Sequence, residues 1–258
     1  IMSFLQNLYN WQRTQKAILV TYVYPLPGPY QRIYHYHIRK SGGTSINACI
    51  WRAGFPYKSS AFLMRRPLLN SGKFVFVRHD QSLIQKGCFH YANSHAPLWK
   101  VLLPPQTFTF TIFRNPVDRL YSLYRYYYFN VHHPDAKRLE PLNDSIIRFQ
   151  HWLGNSFSDF LRRLPRKHLQ NQLFMFSKNF SVDEALGNLN KVNTIYFFEN
   201  LSQIAEDMGK LMACNLKLRK ERSFPKTVGP ITENDRLLAK NYLREEIDFY
   251  NKIQKKFE

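Results

Sequence analysis

Residues 34–45 have the sequence Tyr34-His35-Tyr36-His37-Ile38-Arg39-Lys40-Ser41-Gly42-Gly43-Thr44-Ser45. The aromatic residues alternate with others as in a β-strand, and the apolar run at residues 46–51 fits a helix that begins directly afterwards. Between them lie a lysine, two glycines and two hydroxyl residues. Glycines let backbone N–H groups approach an anion closely, a helix N-terminus carries partial positive charge, and lysine adds a full charge. The stretch therefore predicts a phosphate-binding loop between a strand and a helix.

A second strand-to-helix junction lies at residues 107–128. Residues 107–113, Thr-Phe-Thr-Phe-Thr-Ile-Phe, are β-branched or aromatic throughout and predict a strand. Arg114 follows this strand, Asn115 suits a helix cap, and Pro116 suits the first helical position. A strand-helix unit with an arginine in a salt bridge would have the same sequence. Two basic junctions in one chain nevertheless favour an anion with two charged ends.

Strands and helices alternate along the rest of the chain. Further strands are predicted at 31–38, 73–78, within 87–97 and at 193–198. Helices are predicted at 1–16, at 142–164 with a break near Gly154, at 201–214, and from a Thr232 cap to about Lys256. Leu8 and Trp11 are predicted to pack the first helix, and residues 57–70 to form a basic loop. This order predicts an α/β fold with a central, mainly parallel sheet flanked by helices.

Composition limits the size and the partners of the protein. With 258 residues and 44% hydrophobic content, the chain can form one large domain with a sizeable core. A formal charge of +19 predicts a surface that attracts polyanions, nucleotides or an anionic membrane face. Cys49, Cys88 and Cys214 form no CxxC pair, which predicts buried thiols in a reducing compartment. No apolar run reaches transmembrane length.

Three histidines are candidates for chemistry. His35 and His37 share one face of a predicted strand, but no third ligand follows at metal-binding spacing, so packing or hydrogen bonding is favoured over a metal. His95 lies just past a predicted strand, in Ser94-His95-Ala96-Pro97. Ligands of open α/β sheets bind outside the carboxyl ends of the strands. A histidine at this place alone is more often structural than catalytic.

The two junctions together resemble the cofactor site of sulfotransferases that use 3′-phosphoadenosine 5′-phosphosulfate (PAPS). Residues 40–45, Lys-Ser-Gly-Gly-Thr-Ser, resemble the loop that binds the 5′-phosphosulfate. Residues 114–122, Arg-Asn-Pro-Val-Asp-Arg-Leu-Tyr-Ser, resemble the 3′-phosphate motif. The carbohydrate branch, the heparan-sulfate and uronyl O-sulfotransferases with their bacterial relatives, is the most similar. Arg39 stands where this branch commonly has proline, and Ser41 where threonine is frequent.

The resemblance implies roles for individual residues. His95 would be the general base, and Lys40 would both bind the cofactor and neutralise the leaving oxygen. Arg114 and Ser122 would hold the 3′-phosphate of PAPS or of its product, PAP. The remaining residues that would bind the cofactor are Arg39, Ser41, Gly42, Gly43, Thr44 and Ser45 in the first loop, and Arg222, Ser223, Lys226 and Thr227 in a late basic loop. No metal is required, because lysine and arginine supply the positive charge.

The resemblance also implies a three-layer, P-loop-like fold, a domain plan and a partner. A single domain over 1–258 would have an N-terminal appendage (1–30), a cofactor-binding core (31–129 and 190–258) and a helical acceptor-side region (130–189). The acceptor would be a glycan or another anionic molecule. A small-molecule hydroxyl or amine is the alternative. No nucleic-acid partner is expected. A bacterial cytoplasm is the expected compartment, and a Golgi-lumen catalytic domain without its anchor is the alternative.

Two other classes of function fit part of the sequence. A P-loop kinase would need its lysine after the glycines, whereas Lys40 precedes them. A non-catalytic protein that binds polyanions or RNA would explain the charge of +19 and the tyrosines at 121–128. Those tyrosines have helical spacing, however, which favours a place in the core.

Overall fold

We describe a computed structural model of the chain, which covers residues 2–59, 63, 66–132, 143–218 and 229–257. The strands are β1 Arg32–Tyr36, β2 Leu68–Asn70, β3 Val75–Arg78, β4 Tyr91–Ser94, β5 Thr107–Phe113 and β6 Thr194–Phe197. The helices are α1 Met2–Val23, α2 Gly43–Gly54, α3 Gln81–Lys86, α4 Pro116–His132, α5 Asn143–Leu153, α6 Phe157–Arg163, α7 Arg166–Leu169, α8 Asn171–Phe176, α9 Val182–Leu189, α10 Leu201–Leu211, α11 Glu233–Tyr242 and α12 Arg244–Phe257.

The six strands form one sheet in the order β2-β3-β4-β1-β5-β6. β1 pairs in parallel with β4 on one side and with β5 on the other, and β3 pairs in parallel with β4. In register, Tyr36 lies opposite Ser94 of β4 and Thr111 of β5. The sheet is mostly parallel and flanked by helices, so the predicted α/β fold class is confirmed. The carboxyl ends of β4, β1 and β5 lie side by side, where ligands of such sheets bind.

The described residues divide into two compact units. The first contains residues 2–37, 43–112 and 192–218. Its core packs the sheet against α2 and α10 and includes Ile33, Trp51, Phe110, Ile204 and Met208. Strands buried on both faces explain why β3 and β5 consist almost wholly of β-branched and aromatic residues.

The second unit contains residues 38–42, 113–191 and 229–257. Its core is helical and includes Leu120, Tyr127, Phe160 and Leu243. Tyr124 and Tyr127 of the tyrosine-rich segment are buried there, as their helical spacing predicted.

The predicted caps are confirmed. Asn115 Oδ1 accepts hydrogen bonds from the N–H groups of Val117, at 3.1 Å, and Asp118, at 3.3 Å, so α4 begins at Pro116 as predicted. Thr232 and Asp235 form a reciprocal capping box on α11. Local hydrogen bonds of this kind involve neighbours in the chain, which is why sequence spacing identifies them.

Three predictions about elements are wrong. Leu68–Asn70 forms the antiparallel edge strand β2 rather than a loop, because it pairs with β3. The closing helix is divided at Leu243 into α11 and α12. Leu8 and Trp11 do not pack: their side chains are 43% and 59% exposed.

The predicted burial of the thiols holds for Cys49 and Cys88, whereas Cys214 is half-buried. Over the described ranges, no helix is long and apolar enough to cross a membrane.

Candidate active site

The predicted site residues follow the carboxyl ends of the central parallel strands. Lys40 lies four residues after β1 ends, His95 directly follows β4, and Arg114 directly follows β5. In the first unit the structure places His95 and the N-terminus of α2. In the second unit it places Lys40 and Arg114.

The His95 ring is held in a defined tautomer. Its Nδ1 lies 2.7 Å from the backbone carbonyl oxygen of His37. Because a carbonyl only accepts, Nδ1 carries the hydrogen and donates it, which leaves Nε2 of the neutral ring with its lone pair. The His95 ring also contacts the rings of His37, at 4.5 Å between centroids, and His79, at 4.7 Å. An imidazole oriented in this way can remove a proton through Nε2.

Gly43 is needed for close packing against His37. A Cβ atom at position 43 would lie 2.2 Å from Nε2 of His37, a distance that no real side chain tolerates. The N-terminus of α2 therefore rests directly on the His37 ring. Asn47 of the same helix donates from Nδ2 to Nδ1 of His37 at 3.5 Å. Gly43, the second glycine of the pair, thus positions His37. The backbone carbonyl of His37 in turn orients His95.

His35 is a buried, neutral residue with packing and hydrogen-bonding roles. Its ring stacks on Phe110 at 4.4 Å, and its Nδ1 lies 3.0 Å from the Tyr91 hydroxyl and 3.4 Å from Asn47 Oδ1. Burial lowers the pKa of His35 to about 3, although the hydrogen bond with Asn47 opposes this. Burial also lowers the pKa of His37, and neighbouring His95, His35, His79 and Arg78 lower it further. The predicted packing and hydrogen bonding of these two histidines is confirmed by these contacts.

Buried neutral histidines make stability depend on pH. An unfolded histidine has a pKa of about 6.5, so below that pH the unfolded chain takes up protons that folded His35 and His37 do not. Stability is therefore full above this pH and falls as the pH drops towards the folded-state values. We expect each such histidine to remove about 1.4 kcal/mol per pH unit from the free energy of unfolding. Urea unfolding between about pH 7 and pH 5 measures this slope.

The variant His35→Gln should have a smaller slope than the natural protein, even if its stability is lower throughout. His151→Gln is the matched control, since His151 is exposed. Its slope should equal that of the natural protein. A free energy of unfolding that stays constant over this pH range would contradict the prediction.

In the second unit, the loop at residues 38–42 lies against Arg114. Lys40 and Gly42 both have positive φ, 68° and 83°, so the loop turns sharply at two positions. The Arg114 guanidinium donates from Nη1 to the Lys40 carbonyl oxygen at 3.1 Å. The Lys40 ammonium lies 4.6 Å from the centre of the Tyr126 ring, a cation–π contact. The buried hydroxyl of Ser41 has no hydrogen-bond partner among the described residues. A buried polar group in this situation suits a ligand that accepts a hydrogen bond.

The backbone on both sides of this contact is held by α8. The side chain of Gln172 accepts from the Arg114 N–H at 2.8 Å and donates to the Arg114 carbonyl at 2.9 Å. Asn171 accepts from the Arg39 N–H at 3.1 Å. Two neighbouring amide side chains of one helix therefore fix the backbone at both predicted anion-binding positions.

A buried ion pair holds α8 in turn. Glu246 of α12 accepts from the N–H groups of Gln172, at 2.8 Å, and Leu173, at 3.2 Å, and lies 3.2 Å from Arg119. Burial raises the pKa of Glu246, while Arg119 and these N–H groups oppose the rise. Arg119 also donates to the carbonyl oxygen of Leu169. The second arginine of the motif at 114–122 is thus wholly buried and structural.

The other predicted cofactor residues lie partly within and partly outside the described part of the chain. Thr44 and Ser45 are half-buried in the first turn of α2, and Ser122 is half-buried on α4. Arg222, Ser223, Lys226 and Thr227 lie outside the described residues. Sequence reasoning missed Tyr126, Asn171, Gln172 and Glu246. Of these, only Tyr126 could have been found from the sequence, because it lies twelve residues after Arg114 on the helix that begins within the motif.

The chain has weak similarity to known proteins. No family model matches the sequence, and no curated protein matches it. Among solved structures, the chain is similar to the crystal structure of retinol dehydratase in complex with androsterone and inactive cofactor PAP. The two chains are 13% identical, the match covers 84% of this chain and 80% of the other, and the TM-score is 0.28. A likeness this weak carries no conclusion about fold or activity.

Proposed function

We propose that this protein transfers the sulfuryl group of PAPS to a hydroxyl group of an acceptor. One observation carries the proposal: the two motifs assigned to opposite ends of one nucleotide are in contact, through the Arg114 guanidinium and the Lys40 carbonyl at 3.1 Å. A guanidinium can bind phosphate oxygens bidentately, which suits an anion bound beside this loop.

The chain supplies groups that fit a phosphosulfate. The buried Ser41 hydroxyl, the N–H groups that begin α2, and the Thr44 and Ser45 hydroxyls are donors, and Lys40 adds charge. Arg114 and Ser122 are assigned to the 3′-phosphate. Arg39 has its N–H held by Asn171, which fixes the backbone that precedes Lys40. Arg222, Ser223, Lys226 and Thr227 are proposed to close over the nucleotide on sequence grounds alone.

PAPS supplies an activated sulfuryl group. In the proposed reaction His95 removes the acceptor hydroxyl proton through Nε2, the acceptor oxygen forms a bond to sulfur, and the bond from sulfur to the bridging oxygen breaks. Lys40 neutralises the charge that develops on that oxygen. Sulfuryl transfer resembles phosphoryl transfer in that positioning and charge stabilisation supply most of the catalysis. His95 and Lys40 belong to different units, and their joint role rests on the motifs.

We propose a carbohydrate as the acceptor. Its support is the similarity of the two motifs to the carbohydrate branch and the formal charge of +19, which suits an acidic glycan. A small-molecule hydroxyl or amine would use the same cofactor residues. Incubation with sulfur-labelled PAPS and fractionated acceptors distinguishes them, because the fraction that takes up the label contains the acceptor.

The cofactor assignment is tested by calorimetry with PAP and with adenosine 5′-phosphate, which lacks the 3′-phosphate. We expect the natural protein to bind PAP more tightly. Arg114→Ala should weaken PAP binding by about 10- to 150-fold, because hydrogen bonds to charged groups contribute about 1.5–3 kcal/mol. It should leave the affinity for adenosine 5′-phosphate almost unchanged.

Arg125→Ala is the matched control, since Arg125 lies on the same helix and contacts the Tyr121 ring. Its affinities for both nucleotides should equal those of the natural protein. Absence of PAP binding by the natural protein would refute the proposed function. Salt-sensitive RNA binding without any response to PAP would favour a non-catalytic polyanion-binding protein instead.

A further inference from the structure

Three consecutive amide side chains lie where α7 passes into α8, and all three are buried. They belong to Gln170, Asn171 and Gln172. A buried amide is destabilising unless both its oxygen and its nitrogen form hydrogen bonds. Each of these amides accepts and donates, and each does so to a different part of the second unit. Neighbours in the sequence therefore hold separate segments of the protein in place.

Gln172 holds the backbone of Arg114 at both of its polar groups. Its Oε1 accepts from the Arg114 N–H at 2.8 Å, and its Nε2 donates to the Arg114 carbonyl oxygen at 2.9 Å. A residue of a neighbouring strand would form the same two hydrogen bonds. β5 ends at Phe113, so Gln172 extends the paired backbone by one residue beyond the strand. The Arg114 side chain therefore begins from a fixed position and direction.

Asn171 holds a different segment, the loop at residues 38–42. Its Oδ1 accepts from the Arg39 N–H at 3.1 Å, and its Nδ2 donates to the Lys167 carbonyl oxygen of α7 at 3.0 Å. Arg39 directly precedes Lys40, whose φ of 68° belongs to the sharp turn of the loop. Asn171 thus fixes the backbone at the point where this turn begins.

Gln170 holds α8 itself. Its Nε2 donates to Glu245 at 2.7 Å and to the Tyr242 carbonyl oxygen at 3.2 Å, which joins the start of α8 to the closing helices. A helix of six residues is not stable alone, so contacts of this kind determine where α8 lies. Within the described part of the chain, the hydrogen bonds of the Gln170 side chain involve neither Arg114 nor the loop at 38–42.

We propose that Gln172 and Asn171 are positioning residues that act on opposite ends of the nucleotide. Gln172 sets the preference for a 3′-phosphate through Arg114, and Asn171 supports binding of the 5′-phosphate through the loop at 38–42. The proposal rests on the proposed function, which assigns the two phosphates to these segments. An arginine side chain has many conformations, and one whose backbone is fixed loses less conformational freedom when it binds phosphate.

The test is calorimetry of each variant with PAP and with adenosine 5′-phosphate, and the readout is the ratio of the two affinities. Gln172→Leu should weaken PAP binding by about 3- to 10-fold, the contribution of one neutral hydrogen bond, because the Arg114 guanidinium is retained but no longer fixed. Its affinity for adenosine 5′-phosphate should stay almost unchanged, so the ratio falls. Asn171→Leu should weaken both nucleotides by the same factor, since both carry the 5′-phosphate, and should keep the natural ratio.

Gln170→Leu is the matched control, because it removes a buried amide of the same helix start that holds neither anion-binding segment. It should keep the natural ratio of affinities even where it lowers stability. In a protein that already carries Arg114→Ala, adding Gln172→Leu should cause no further loss of PAP affinity, because Gln172 acts through Arg114. Gln172→Asn keeps an amide but lacks one methylene group and cannot reach both Arg114 atoms, so it should lower the ratio as Gln172→Leu does.

The outcomes separate this proposal from the proposed function. Absence of PAP binding by the natural protein would refute both. A natural preference for PAP that both Gln172 variants retain would overturn this proposal alone. An equal fall of the ratio in Gln170→Leu and Gln172→Leu would make the loss a general effect of disturbing α8, and would also overturn it. So would a fall of the ratio in Asn171→Leu, or an additive loss in the Arg114→Ala protein.

Discussion

The variant His95→Ala is expected to transfer sulfate about 10²- to 10⁴-fold more slowly than the natural protein, the range that a positioned general base contributes. PAP affinity should be unchanged, because His95 is assigned to the acceptor hydroxyl and not to the nucleotide. The measurement is the turnover of labelled PAPS with the acceptor, together with calorimetry of PAP. A loss of this size with intact nucleotide binding assigns His95 to the chemical step.

The hydrogen bond from His95 Nδ1 to the His37 carbonyl suggests a second measurement besides the rate of sulfate transfer. A base that acts through Nε2 is missing in His95→Ala, and added imidazole can partly replace it. We therefore expect imidazole to restore part of the activity of this variant, whereas a residue with only a structural role would not be rescued. His151→Ala removes an exposed histidine and should behave like the natural protein. Near-normal turnover by His95→Ala would exclude His95 as the base.

The parts of the fold that follow from local chemistry could be predicted from the sequence. β5 was predicted with its observed bounds, because seven consecutive β-branched and aromatic residues suit a strand buried on both faces. The start of α4 was predicted from Asn115 and Pro116, whose roles involve only neighbouring N–H groups. Lys40, His95 and Arg114 were predicted to lie just past strands, and they do so. Parallel strands bring their carboxyl ends to one edge of the sheet.

Features that depend on distant contacts could not be predicted. Gln172 contacts Arg114 across 58 positions of the sequence, and Glu246 contacts Gln172 across 74. Nothing in the local sequence around either residue indicates these partners. Leu68–Asn70 is too short to show alternation and becomes a strand only by pairing with β3. Leu8 and Trp11 have the spacing of packed residues, but the sequence does not show which side of α1 meets the core.

The variant Lys40→Ala is expected to lower turnover by about 10²- to 10³-fold. Removal of one group that stabilises charge in a transition state has an effect of about this size. PAP affinity should fall much less, because the leaving oxygen acquires its full charge only as the bond to sulfur breaks. Alanine retains a Cβ atom, so the positive φ of 68° at this position is tolerated about as it is with lysine. The comparison of turnover with the dissociation constant of PAP separates the two effects.

The contact of the Lys40 ammonium with the Tyr126 ring suggests how the charge of Lys40 is held in position. A lysine side chain has many conformations, and an aromatic ring 4.6 Å from the ammonium restricts them. Lys40→Arg should therefore retain only part of the activity, because the larger guanidinium places its charge differently. Lys100→Ala removes an exposed lysine and serves as the control. If Lys40→Ala weakened PAP binding as much as it lowered turnover, Lys40 would hold the ground-state nucleotide without assisting the leaving oxygen.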